Sequence, residues 1–241
     1  MHTAMGIDSC QAGWMYFRFD GETCTFGMHE QLASIIENVP DHGCVLVDIP
    51  IGLRQRGRRE RDCDIAVREL LGPQRSTVFS APLRASLKFD NYVEASARNR
   101  ELSGRALSRQ LWGTMPRIRE VDQLLKDSGH ARRLLRESHP ELLFAGLAGG
   151  PMVHSKTERA GFTERMTILS ILHPDAEQLV ASAFLAHGGF DAARDEIVDA
   201  FVLALCARWP GRLRDLPEEP ETDPRGLPMR MTYLPGRTLL A

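Results

Sequence analysis

The chain has 241 residues, 43% of them apolar and 26% charged, and a formal net charge of −2. Such a composition is ordinary for a soluble globular protein, with enough chain for one large domain or one domain carrying an insertion. No stretch approaches the ~18 consecutive apolar residues of a spanning helix, so no membrane partner is expected.

Residues 4–29 read as three strands in a meander. Ala4-Met5-Gly6-Ile7-Asp8 is a short apolar run ending in one carboxylate. Ser9 to Gly13 turns the chain into Trp14-Met15-Tyr16-Phe17-Arg18-Phe19, and a weaker strand, Thr23 to Met28, follows. From Gln31 to Val39, apolar residues at Leu32, Ile35, Ile36 and Val39 give the spacing of an amphipathic helix. Cys44-Val45-Leu46-Val47 reads as a strand buried on both faces, typical of parallel pairing. It too ends in an acid, Asp48, and Pro50 stops further pairing. Open α/β sheets place their sites at such strand ends.

Residues 54–133 have a different character. They hold eighteen Lys/Arg against ten Asp/Glu, a net +8, whereas the rest of the chain carries −10. Helices are expected at Asp62–Leu71, Asn91–Ser103 and Pro116–Asp127, with a structured loop over Arg75–Pro82. The segment is either a solvated cap or a nucleic-acid-facing surface, since clustered positive charge attracts phosphate.

Arg133 to His139 returns to strand, with Leu135, Glu137 and His139 on one face, and Glu141 begins a helical turn. A Gly-rich loop spans Gly146–Ser155. Helices are expected at Lys156–Leu172, Gln178–His187 and Asp195–Arg208, the last apolar nearly all round and therefore buried. Residues 215–225 read as an acidic surface loop and Arg230–Leu234 as a late edge strand. An open edge at the third strand or in the tail offers pairing to a second copy, as in a homodimer. The five cysteines, Cys10, Cys24, Cys44, Cys63 and Cys206, include no C-x-x-C pair. They read as reduced thiols of a cytoplasmic protein. Met1-His2-Thr3-Ala4 lacks the basic region of a leader.

Acids stand where packing alone favours apolar residues: Asp8 and Asp48 at strand ends, Glu137 in a strand, and Asp195 and Asp199 at i, i+4 on a buried helix. Each alone has an ordinary reading as a turn cap, an ion-pair partner or a first-turn acid. Gathered together they repel unless a cation sits among them, and Mg²⁺ or Mn²⁺ prefers such oxygen ligands. Two such ions can activate water and steady a leaving oxygen in phosphodiester hydrolysis.

Gly6-Ile7-Asp8, Asp48-Ile49-Pro50-Ile51-Gly52-Leu53, Arg61-x-Cys63-Asp64-x-x-x-Arg68, Ser76-x-Val78-Phe79-x-x-Pro82-x-Arg84, Ser108-x-Gln110, Ile118-x-Glu120-Val121-Asp122, Glu137-x-His139-Pro140-Glu141 and Asp199-Ala200 together resemble domain-of-unknown-function family 429. Its members are regarded as nucleases of the RNase H-like fold. The resemblance implies a three-layer α/β/α domain over residues 1–241. Its five-stranded mixed sheet has strands one to three antiparallel and four and five parallel to the first, with residues 54–133 a helical insertion. It puts the catalytic and metal positions on Asp8, Asp48, Glu137 and Asp199, with Asp195 or Glu196 assisting. Arg61, Asp64, Arg68 and Arg84 then contact substrate or brace the insertion, and Lys156 is a candidate phosphate contact. His139 is a partner of Glu137 or a packed histidine.

The expected activity is metal-dependent hydrolysis of DNA or RNA. A second possibility is a non-catalytic nucleic-acid-binding protein of the same fold. A third is an actin-like nucleotide-binding phosphotransferase, for which Ser9-Cys10-Gln11-Ala12-Gly13 is a poor phosphate loop.

Overall fold

Period-2 apolar patterning at the start of the chain builds the sheet, and a computed structural model describes residues 2–236. Strands β1 (Thr3–Cys10), β2 (Gly13–Asp20) and β3 (Thr23–His29) form the expected antiparallel meander. The four-residue apolar run Cys44–Val47 is β4, parallel to β1, and β5 (Leu135–Glu137) is parallel to β4. The five-stranded order is β3-β2-β1-β4-β5. A separate ribbon pairs β6 (Arg214–Leu216) with β7 (Met231–Tyr233).

Helices cover both faces. On one side lie α1 (Leu32–Ile36) and α4 (Arg109–Asp127), sharing a core with Met5, Ile7, Val45, Val47 and Leu135. On the other lie α6 (Pro140–Ala148), α7 (Arg159–Leu172), α8 (Ala176–His187) and α9 (Arg194–Ala207), sharing a core with Ala4, Cys44 and Leu46. The alternation of side chains along β1 and β4 therefore assigns even-numbered positions to the α9 face and odd-numbered ones to the α4 face. Gly6 is essential to this arrangement. A Cβ there would stand 2.0 Å from the backbone nitrogen of Ala204 and 2.3 Å from the carbonyl of Ala200, so α9 lies directly on the β1 backbone.

Between β4 and β5 run α2 (Asp62–Leu71), a 3-10 turn at Gly72–Thr77, another at Arg84–Lys88, α3 (Tyr92–Ser103), α4 and α5 (Gly129–Leu134). Several boundaries differ from the expected ones. Helix α4 starts at Arg109, not at Pro116, because Ser108 caps it by accepting from the Leu111 N–H at 3.0 Å. Pro116 is carried inside the helix. The strand expected from Arg133 is shorter, since Arg133 and Leu134 belong to α5, capped by Ser128. Helix α6 runs on to Ala148, where Gly149 takes the left-handed conformation and ends it. Helix α7 begins at Arg159, which leaves Lys156 in the preceding loop.

Candidate functional site

The C-terminal ends of β1 and β4 and the first turns of α9 meet at one cleft of about 390 Å³. Asp8 follows Ala4 and Gly6 in the β1 alternation and so faces α9; it is 6% exposed. Asp48 follows Cys44 and Leu46 in the same way, and its N–H donates to the Ile7 carbonyl at 3.0 Å, extending the β1–β4 ladder by one rung. Asp199 comes up from α9 and is 1% exposed among residues buried from Ile197 to Ala207. Three acids placed by three elements thus line one wall.

Their ionisation shows that they act on one another. Burial pushes the Asp8 carboxyl well above its ordinary value, and the charges of Asp48 and Asp199 push further in the same direction. Burial raises Asp48 against the pull of His139 and Lys156. Asp199 is pushed up to about 6, chiefly by burial, while Lys156 pulls it down. One oxygen of Asp8 accepts from the Ser9 N–H at 2.7 Å. Oδ1 of Asp199 is buried with no hydrogen-bond partner.

The cation at this wall is Lys156. Its Nζ lies 2.5 Å from Asp199 Oδ2 and 3.3 Å from Asp195 Oδ2. Burial works against its charge, yet Asp199 and Asp8 outweigh that and hold its pKa above normal. The loop that carries it is pinned to α7. The N–H groups of Val153 and His154 donate to Glu164, and Arg165 donates to the His154 carbonyl. Gly161 lets the loop approach: a Cβ there would lie 1.9 Å from the Ser155 carbonyl. Of the two neighbouring acids in the first turn of α9, Asp195 meets Lys156, while Glu196 turns back to accept from the Ala193 N–H at 2.7 Å.

Glu137 also lines the cleft, but its register places it differently. It pairs with Val47 and follows Leu135, both on the α4 face. Both oxygens are taken by Arg61, at 2.7 Å each, and Oε2 also accepts from the Ile51 N–H at 2.7 Å. Arg61 continues to Asp64 at 2.5 Å. Burial pushes Glu137 up to about 7 in spite of the guanidinium. The other two arginines are likewise engaged within the chain. Arg84 is buried and bound to Asp122 and Asp223, and Arg68 is bound to Glu60 and Ser80. Neither reaches the cleft wall.

The sequence reading left several wall residues without a role. Glu141, in the first turn of α6, is buried in a bidentate pair with Arg165 at 2.7 Å. It adds negative potential at Asp48 and Asp199. The signal was an arginine on the buried stripe of α7 beside Met166 and Leu169, which needs a buried partner. Ser138 Oγ and His139 Nδ1 are buried without partners at the same wall, and Thr77, Phe79, Gln110 and Thr114 complete it.

Among the described residues, no three His, Cys, Asp or Glu side chains stand as a ready ligand shell for a metal. Lys156 takes up Asp199 Oδ2 instead. The donor chemistry still fits a hard divalent cation. Asp8, Asp48 and Asp199 supply only oxygen, all three are raised by burial, and Asp199 Oδ1 lacks a partner. A cation bound there would relieve both the repulsion and the orphaned oxygen.

Residues 6–222 match the family model described as "Protein of unknown function (DUF429)". No curated protein and no solved structure gives a significant match.

Proposed function

Because the chain belongs to the DUF429 family, whose description assigns no activity, the function has to be argued from the site, and we propose that it is a divalent-metal-dependent nuclease hydrolysing DNA or RNA. The carrying observation is the convergence of Asp8, Asp48 and Asp199 at the strand ends with Asp199 Oδ1 unpartnered. The strand order β3-β2-β1-β4-β5, with β4 and β5 parallel to β1, supports an RNase H-like reading. The helical segment between β4 and β5 is then the insertion in that fold.

Asp8, Asp48 and Asp199 Oδ1 are the groups that hold Mg²⁺ or Mn²⁺ in this reading. The ion supplies a water of lowered pKa and a positive charge for the leaving oxygen. Lys156 holds Asp199 in place through its 2.5 Å contact and offsets the charge of the wall. Ser138 Oγ is a free hydroxyl able to donate to a non-bridging phosphate oxygen, whereas His139 donates its Nε2–H to the Thr77 carbonyl, which leaves Nδ1 an acceptor. Arg61 and Arg165 hold the carboxylates of Glu137 and Glu141 in place, which shapes the cleft floor.

Several arginines of the basic segment are already engaged inside the chain. Arg54, Arg59, Arg61, Arg68, Arg84 and Arg105 are all ion-paired within the chain. The test is purified protein with Mg²⁺ or Mn²⁺ against single-stranded and structured DNA and RNA. Cleavage by wild type and at least a hundredfold loss in Asp8→Asn is expected. Equal activity in the two proteins overturns the assignment, and tight binding without cleavage by wild type favours the non-catalytic alternative.

A further inference from the structure

We infer that Lys156 is a built-in cation filling the place of a second metal ion, so that the cleft takes one divalent ion per chain rather than two. The inference rests on the metal-site reading above and adds its stoichiometry. Two observations carry it. The first is position: Nζ of Lys156 sits between Asp199 and Asp195, at 2.5 and 3.3 Å, in the lining of the cleft. It takes Oδ2 of Asp199, and Oδ1 of the same 1%-exposed side chain is left without a partner at the cleft. One oxygen of Asp199 is committed to the ammonium, and the other is free for a ligand.

The second observation is which acids are already engaged. Glu137 shares Arg61 with Asp64, and Glu141 is paired with Arg165. Glu196 is tied to the Ala193 N–H. Asp195 lies at the rim with its side chain 31% exposed, where water screens it. The inner wall then leaves Asp8, Asp48 and Asp199 Oδ1 for a metal, with the Lys156 ammonium already bound to the other Asp199 oxygen. A second divalent ion would have to displace Lys156 from Asp199 or sit beside it, and like charges at hydrogen-bond range repel strongly in a buried site.

The loop geometry makes displacement hard. Lys156 is two residues from His154, whose carbonyl is held by Arg165 and whose N–H is held by Glu164. Ser155 lies against Gly161. The ammonium is therefore delivered by a fixed loop, unlike a surface lysine on a free stem.

The experiment is calorimetric titration of metal-free, full-length protein with Mn²⁺ alone, without nucleic acid. Wild type and Lys156→Arg should each bind one ion per chain, and Lys156→Gln should bind two. A wild-type stoichiometry of two overturns the inference while leaving the metal site standing. A Lys156→Gln protein that folds, by circular dichroism, and still binds one ion also overturns it. No Mn²⁺ bound by wild type or Lys156→Gln overturns the metal-site reading itself. Electron paramagnetic resonance of wild type with two equivalents of Mn²⁺ needs no variant: an isolated-ion spectrum is expected, and a spin-coupled pair defeats the inference.

Discussion

At Asp199 one carboxylate oxygen accepts from Lys156 and the other accepts from nothing, beside Asp8 and Asp48, which like it are raised by burial. The sign of its pH effect follows. Its carboxyl moves from an ordinary 3.8 to about 6 on folding. A raised acid favours the folded state most below its unfolded value, and that contribution disappears as pH rises through the folded value. Glu137, pushed up to about 7, acts in the same direction. The metal-free protein should therefore lose stability between about pH 4 and pH 7, with Asp199 alone accounting for roughly 3 kcal/mol at most. Thermal melts across that range test this. The decline should be shallower in Asp199→Asn, and added Mn²⁺ should protect less below pH 6 because protons compete for the same oxygens.

The elements matter because each delivers its acid through a different device. Gly6 brings α9 onto β1, and the ladder bond from Asp48 to Ile7 fixes the neighbouring strand end. Arg61, at the start of α2, ties that helix to β5 through Glu137. Arg61→Ala leaves Glu137 and Asp64 as buried charges without their partner, so a loss of about 3–5 kcal/mol is expected in denaturant unfolding. A loss under about 1 kcal/mol would refute the bracing role. Gly161→Ala acts on the site at a distance. Its Cβ would collide with the Ser155 carbonyl, so the Lys156 loop must shift at a cost of about 1–3 kcal/mol. The measurable outcome is a lowered melting temperature together with a changed Mn²⁺ affinity; an unchanged affinity would separate Gly161 from the site. At this scale the strands β1 to β4 and helix α2 were legible, because their periodicity is local. The start of α4 was obscured by Pro116, although the Ser108 cap was present in the sequence.

Across the whole molecule, the +8 segment and the acidic tail turn out to be partners. Arg54 and Arg59 reach Glu221, and Arg84 binds Asp223 together with Asp122. Asp223 is buried, and it also accepts from the N–H groups of Leu53, Arg225 and Leu227. What reads as a solvated acidic loop is in this part a clamp that closes the chain over the β4–β5 connection. Asp223→Ala should cost about 1–3 kcal/mol, since it leaves the N–H groups of Leu53, Arg225 and Leu227 without their acceptor while Arg84 keeps Asp122. Glu221→Ala, at an exposed pair, should cost within about 1 kcal/mol. Equal effects of the two in urea unfolding would argue against the clamp.

The sequence by itself determined that acids stand at the ends of two apolar strands and on a buried helix, and that the middle segment is basic. Those facts are local: they follow from residue order, alternation and helical spacing. Only the tertiary structure decided which acids meet. Asp8, Asp48 and Asp199 share the α9 face, whereas Glu137, one register position over, faces Arg61. It also decided that the site's own cation comes from Lys156, on a loop between helices, and that the arginines are largely spent on the chain's own acids. Pairing between residues far apart in sequence depends on which face of the sheet each one reaches, and charge type alone carries no record of that.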